Sequence, residues 1–136
     1  MWTALILLVL GVAAFAVWVR VAPTDVARWH KMPAALEPGD MSNGAVRTVD
    51  ASEGTLAAFD RVVGQTPRTQ RIAGSVDDGM ITYVTRSAAF GFPDYTTVQV
   101  ENDQLVVFGR ARFGLSDLGV NATRIDGWLA ALGRGG

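Results

Sequence analysis

The chain has 136 residues, a formal charge of −1 and no cysteine, enough for one domain and a leader but not for a disulfide framework, a thiolate nucleophile or a zinc–thiolate site. Its twelve basic residues are spread from Arg20 to Arg134 without a run, so the clustered basic face of a nucleic-acid binder is excluded. The one histidine, His30, precedes the expected domain, which leaves no Ser-His-Asp triad to assemble within it.

From Trp2 to Val19 there is no charged residue, and Thr3 is the only polar one. As a helix this stretch is about 27 Å long, close to the hydrocarbon thickness of a bilayer. Trp2 and Trp18 stand at its ends, where indole rings settle at a membrane interface. Ala14-Phe15-Ala16 has the small-x-small pattern of a signal-peptidase site, but no basic residue precedes the apolar run, so residues 1–22 are expected to be an uncleaved single-pass anchor in the bilayer. Arg20, Arg28 and Lys31 follow it, and by the positive-inside rule alone they place the domain in the cytoplasm.

Ala22-Pro23-Thr24-Asp25 ends the helix, because proline removes an amide donor and biases its predecessor toward extended geometry. Residues 23–47 contain Pro23, Pro33 and Pro38 and have no clear apolar period, which reads as a tether along the membrane surface. In it, Trp29 and Met32 are available to headgroups or to the domain. The domain is expected at 48–136. Asp50 and Glu53 suggest a capping-box start for a helix over about 51–64, with Leu56, Phe59, Val62 and Val63 as its apolar stripe.

Strands follow at 68–73, 80–86, 96–101 and 105–112, with Asp77-Asp78-Gly79 and Asn102-Asp103 as turns. Asn121 is expected to cap a last helix that buries Ile125, Trp128, Leu129 and Leu132 and ends at Gly133. The predicted fold class is therefore α+β: an N-terminal transmembrane helix, a small helix, a four-stranded antiparallel meander and a final helix, with both domain helices on one sheet face. The other face is left open to solvent, partner or ligand.

On the last strand Val106, Phe108, Arg110 and Arg112 share one face, while Leu105, Val107, Gly109 and Ala111 share the other. The small Gly109 and Ala111 suit a helix packed closely on their side. Arg124 falls in the first turn of the last helix, where the dipole disfavours a cation. A carboxylate or a bound anion would reverse that, with Asp117 the nearest candidate and Asp94 the second. Arg110, Arg112 and Arg124 are thus expected to meet at one corner, either as an Arg-Asp network fixing the strand-turn-helix junction or as an anion pocket. Ser116 has no His or Lys base nearby in sequence and reads as a turn or cap residue. Phe90-Gly91-Phe92-Pro93 is either a core plug or an aromatic loop over the sheet.

The segment from Gly109 to Arg124, an arginine strand followed by Gly-x-Ser-Asp-x-Gly-x-Asn and a closing arginine, strongly resembles the domain-of-unknown-function family numbered 1499, whose members are mostly bacterial and membrane-associated. Ala89-Phe90-Gly91-Phe92-Pro93-Asp94 extends the likeness. It carries over to Arg110, Arg112, Gly114, Ser116, Asp117, Gly119, Asn121 and Arg124. Gly109 and Ala111 stand where relatives commonly have serines beside the first arginine, which removes two hydroxyls from the corner. The resemblance implies an exported, periplasm-facing domain on the inner membrane and no particular activity. Together these readings lead to the expectation of a membrane-anchored, non-enzymatic cell-envelope protein, without metal or cofactor, that binds a membrane protein partner or lipid. The alternative is a small-anion or metabolite binder, or a hydrolase, built on Arg110, Arg112, Arg124 and Asp117, with Asp94 assisting.

Overall fold

The computed structural model describes residues 1–34 and 36–134. Ala35 of the expected tether and the domain's last two residues, Gly135 and Gly136, lie outside them. Helix α1 spans Trp2–Val21. It has a mean hydropathy of 2.5 and almost no buried surface over its most apolar window, so by length and composition it suits a membrane span or a signal sequence. Its last turn is different: Val19 is fully buried against the domain.

The domain is α+β, with one antiparallel sheet and two helices on one of its faces. The strands are β1 (Gly39–Met41), β2 (Gly44–Asp50), β3 (Thr69–Ser75), β4 (Met80–Arg86), β5 (Pro93–Glu101) and β6 (Gln104–Ala111), in the order β1-β2-β6-β5-β4-β3. Six strands replace the expected four. The stretch expected as a tether supplies α2 (Val26–Trp29), β1 and the start of β2. Ala45 and Val46 are both fully buried, one on each face of β2. The strand extends the sheet by pairing Gly44–Asp50 with Gln104–Arg110.

Helices α3 (Thr55–Gly64) and α4 (Val120–Gly133) cover one face. Leu56, Phe59 and Val63 from α3 and Ala122, Ile125 and Trp128 from α4 pack on Ala45, Ile81, Tyr83, Val98, Leu105 and Val107 of the sheet. The Phe59 and Trp128 rings meet edge to face at 6.0 Å. The α3 stripe forms as expected, but Asp50 does not cap it. Asp50 closes β2, and the helix begins after Gly54, whose left-handed φ of 86° turns the chain upward. Asn102 and Asp103, both at positive φ (52° and 60°), make the tight β5–β6 hairpin foreseen at those two positions.

The opposite sheet face is not open. Residues 22–30 lie across it, with Ala22 and Trp29 buried. The Trp29 ring stacks on Tyr95 at 4.2 Å, and Val84 and Ile72 pack beside the pair.

Candidate functional site

The β6–α4 corner is built around Asp117. β6 ends at Ala111, Gly114 at φ 96° turns the loop that follows, and Leu118 at 55° and Gly119 at 78° lead the chain into α4. Asp117 Oδ1 accepts from the Gly119 amide at 2.9 Å, while Oδ2 accepts from the Asn121 amide at 3.0 Å and from its Nδ2 at 2.9 Å. The expected cap is therefore corrected: Asn121 sits inside the first turn, fully buried, and the capping carboxylate belongs to Asp117, four residues earlier. Burial opposes the Asp117 charge, but these hydrogen bonds outweigh it and hold its pKa below the usual carboxylate value.

Arg124 meets Asp94 rather than Asp117. Its Nη1 donates to Asp94 Oδ2 at 3.0 Å and to Asn121 Oδ1 at 3.2 Å. Both side chains of this pair are mostly buried, Arg124 at 16% and Asp94 at 14% exposure, so the interaction is little screened by water. Burial raises the Asp94 pKa, and the Arg124 charge and hydrogen bond offset that only in part.

Arg110 and Arg112 do not join this corner. Strand alternation sends both to the other face of the sheet, as their shared parity requires. Arg110 is buried beneath Trp29. Its Nη1 donates to Thr97 Oγ1 at 2.9 Å and to Phe108 O at 3.2 Å, and its Nη2 donates to Trp29 O. Its guanidinium lies 4.5 Å from the Phe108 ring centroid and 5.3 Å from that of Trp29. Burial without a carboxylate lowers its pKa to about 10, so it stays charged at neutral pH. Arg112 donates from Nη1 to the Tyr95 hydroxyl at 3.3 Å and lies over Phe113.

The same face holds an ordered relay. Thr97 donates to Trp29 O at 2.9 Å, which commits its only proton. Thr82, 2.9 Å from Thr97 Oγ1, must then donate to it, and His30 Nδ1, 2.7 Å from Thr82 Oγ1, must donate in turn. The tautomer of His30 is thereby set with the proton on Nδ1.

Beside the Asp94–Arg124 pair a cleft of about 420 Å3 opens between Phe15 of α1, Phe92, Ala111, Phe113 and Ser116. The Phe15 ring lies 6.1 Å from Phe92 and 6.3 Å from Phe113, centroid to centroid. Phe92 therefore belongs to an aromatic cluster with the leader helix. Leu115 and Leu118 extend from the neighbouring loop at 93% and 91% exposure, and Phe90 is half exposed on the adjoining turn. Ser116 Oγ accepts from the Leu118 amide at 3.2 Å, the role of a turn residue. Sequence reasoning missed Phe15, Phe113 and the two leucines as parts of one site. For Phe113 and Leu115 the available signal was their place on either side of Gly114, like Phe90 and Phe92 around Gly91, where no strand or helix stripe accounts for them; Phe15 and Leu118 carried no such signal.

Among the described residues, no group of three His, Asp or Glu side chains is placed to hold a metal.

The model of the family described as "protein of unknown function (DUF1499)" matches residues 22–132. The chain belongs to that family. No curated protein and no solved structure matches it. The family domain begins at the first residue after α1 and takes in the segment that covers the sheet, β1 and β2, the Asp117 corner and nearly all of α4. The Phe15 wall of the cleft lies outside the matched range.

Proposed function

We propose that this chain is a membrane-anchored, non-enzymatic envelope protein whose domain docks on the bilayer and takes a lipid acyl chain into the cleft beside its anchor. One observation carries this reading: Phe15, inside the apolar helix, packs on Phe92 and Phe113 of the domain. If the uncharged stretch Trp2–Val19, about 27 Å long as a helix, crosses the hydrocarbon layer, Phe15 lies below the interface and the two domain phenylalanines lie with it. The exposed Leu115, Leu118 and Phe90 sit on the loops adjoining those rings. Burying such side chains in lipid is worth about 1.5 to 3 kcal/mol each, enough to hold the domain against the membrane. The cleft is apolar where it meets α1 and polar at Asp94 and Arg124, which suits a chain entering from the bilayer. Catalysis is disfavoured by how the corner is used: Asp117 is committed to the α4 turn, Asp94 to Arg124 and Ser116 to a backbone amide. The family resemblance supports a periplasmic domain on the inner membrane.

The absence of native cysteine makes the test direct. The full chain carrying a polarity-sensitive dye at Leu118→Cys, reconstituted in nanodiscs, is expected to show blue-shifted emission quenched by brominated acyl chains. The same dye at Asp78→Cys, on the β3–β4 turn at the far end of the sheet, should remain aqueous and unquenched. Equal aqueous signals at both positions would defeat the reading. Filling the cleft with Ala111→Trp should release a lipid that the native chain retains through detergent washing.

A further inference from the structure

A second cleft, of about 540 Å3, lies on the side of the domain where α1 ends, and its walls carry Arg20, Arg68 and Arg86 together with Thr69, Gln70 and Ser87. Among the described residues no acidic one lines it. Each guanidinium is held by main-chain carbonyls. Arg20 Nη2 donates to Ala89 O at 3.1 Å, Arg86 Nη1 to Gly91 O at 2.9 Å and Val19 O at 3.3 Å, and Arg68 Nε to Arg86 O at 3.0 Å. Arg68 holds a left-handed φ of 55°, kept there by the return bond from the Arg86 amide to its carbonyl at 2.9 Å. Among the described residues none of the three forms an ion pair, whereas Arg47, Arg71 and Arg124 each do.

Three cations around one cavity repel one another, and carbonyl partners position them without neutralising them. A tetrahedral anion matches this arrangement, since each guanidinium keeps N–H groups free to donate and arginine reads phosphate through paired donors. The height of the cleft follows from Arg20. It lies in the last turn of α1, two residues beyond Trp18, where an apolar span emerges into the phosphate layer.

We propose that this cleft binds the phosphate of an anionic phospholipid headgroup. The lipid source rests on the anchor reading above; the phosphate chemistry does not. Zwitterionic headgroups are disfavoured because their ammonium would face three arginines with no carboxylate among the described residues of the lining. The site adjoins the aromatic cleft at Ser87, which lines both, but calls on neither Asp94 nor Arg124.

The full chain in uncharged detergent is titrated with short-chain phosphatidylglycerol, phosphatidylcholine and inorganic phosphate, and followed by native mass spectrometry and thermal shift. Phosphatidylglycerol is expected to bind about tenfold more tightly than phosphatidylcholine, a preference that Arg68→Gln/Arg86→Gln abolishes. The charge-matched Arg61→Gln/Arg134→Gln variant, off the site, should retain it. Should the double variant fold poorly, the exposed Arg20→Gln gives the same readout. Equal binding of the two lipids, or full phosphatidylglycerol binding by the site variants, overturns the proposal. Arginine-dependent binding of inorganic phosphate without a lipid preference overturns the lipid source and assigns the cleft to a free anion. The depth measurement at Leu118 is independent: quenching there without arginine dependence removes only this site, and arginine-dependent phosphate binding without quenching removes only bilayer docking.

Discussion

Arg110 donates to the carbonyl oxygen of Trp29, 81 residues earlier in the chain, and so fastens the segment after the leader helix to the middle of the sheet. The same carbonyl accepts from Thr97, and the Trp29 ring covers both the guanidinium and Tyr95. Removing the arginine leaves Trp29 O and Thr97 Oγ1 each short of a buried partner. Arg110→Met is therefore expected to cost about 2 to 4 kcal/mol and to red-shift Trp29 emission as the segment loosens. Chemical denaturation of the full chain in detergent measures the first, and tryptophan fluorescence the second. An unchanged unfolding midpoint would mean that Arg110 does not hold the strap down.

That contact also explains which parts of the fold were legible in sequence. Local periodicity suffices for the α3 and α4 stripes, the β4 alternation and the two hairpin turns, since each depends on residues a few positions apart. It also placed Arg110 and Arg112 on one face of β6 and Gly109 and Ala111 on the other. The strand β2 was invisible because Gly44-Ala45-Val46-Arg47 has little apolar character of its own and becomes a strand by pairing with β6, about 60 residues later. Trp29 likewise looked like an interface residue until Tyr95 and Arg110 were seen beneath it. The expected three-arginine corner failed for a geometric reason. Arg124 approaches from the α4 side of the sheet, where Asp94 points, while Arg110 and Arg112 project from the reverse side.

At Gly109 the sheet and α4 approach each other closely. A Cβ placed there would stand 2.9 Å from both Asn121 Oδ1 and Ile125 Cδ1. Both neighbours are fully buried and cannot retreat without moving the helix. Gly109→Ala should destabilise the domain by about 1 to 3 kcal/mol through overpacking, read as a lower unfolding midpoint. The equivalent change at Gly127, with nothing within 4 Å, should be neutral or slightly stabilising, since alanine favours a helix interior over glycine.

Thr96 is fully buried on the helix-facing side of β5, and its hydroxyl has no hydrogen-bond partner among the described residues. Replacing it with the isosteric valine removes a desolvated polar group without opening a cavity. Thr96→Val is expected to raise stability by about 1 kcal/mol. A loss of that size instead would reveal a partner for the hydroxyl, such as a buried water.

Asp117 and Asp94 should respond to pH in opposite directions. The folded pKa of Asp117 is depressed, so its contribution to stability is complete above the ordinary aspartate value of about 3.9 and is lost as pH falls through the folded value. Asp117→Asn removes an acceptor for the α4 turn. It should cost about 1 to 2 kcal/mol at pH 7, in the range of a lost helix cap, and the gap between variant and native chain should narrow on acidification. A gap that stays constant from pH 7 to pH 3 would assign the loss to shape and not to charge.

Asp94 carries the opposite sign. Its folded pKa is raised by burial, so the folded state holds its proton more tightly than the unfolded chain does. Any stability linked to that proton is present below the unfolded value and is lost as pH rises through the folded one. Arg124 offsets part of this burden at neutral pH through the 3.0 Å pair. Arg124→Ala then leaves a mostly buried carboxylate without its cation, at a cost of about 3 to 5 kcal/mol. The loss should shrink toward pH 4 as Asp94 takes up a proton and the uncompensated charge disappears. Combining Arg124→Met with Asp94→Leu removes both charges, and the double variant should recover most of the stability lost by either single change. Additive losses in that cycle would show that the two residues act separately and that the pair does not hold α4 to the end of β5.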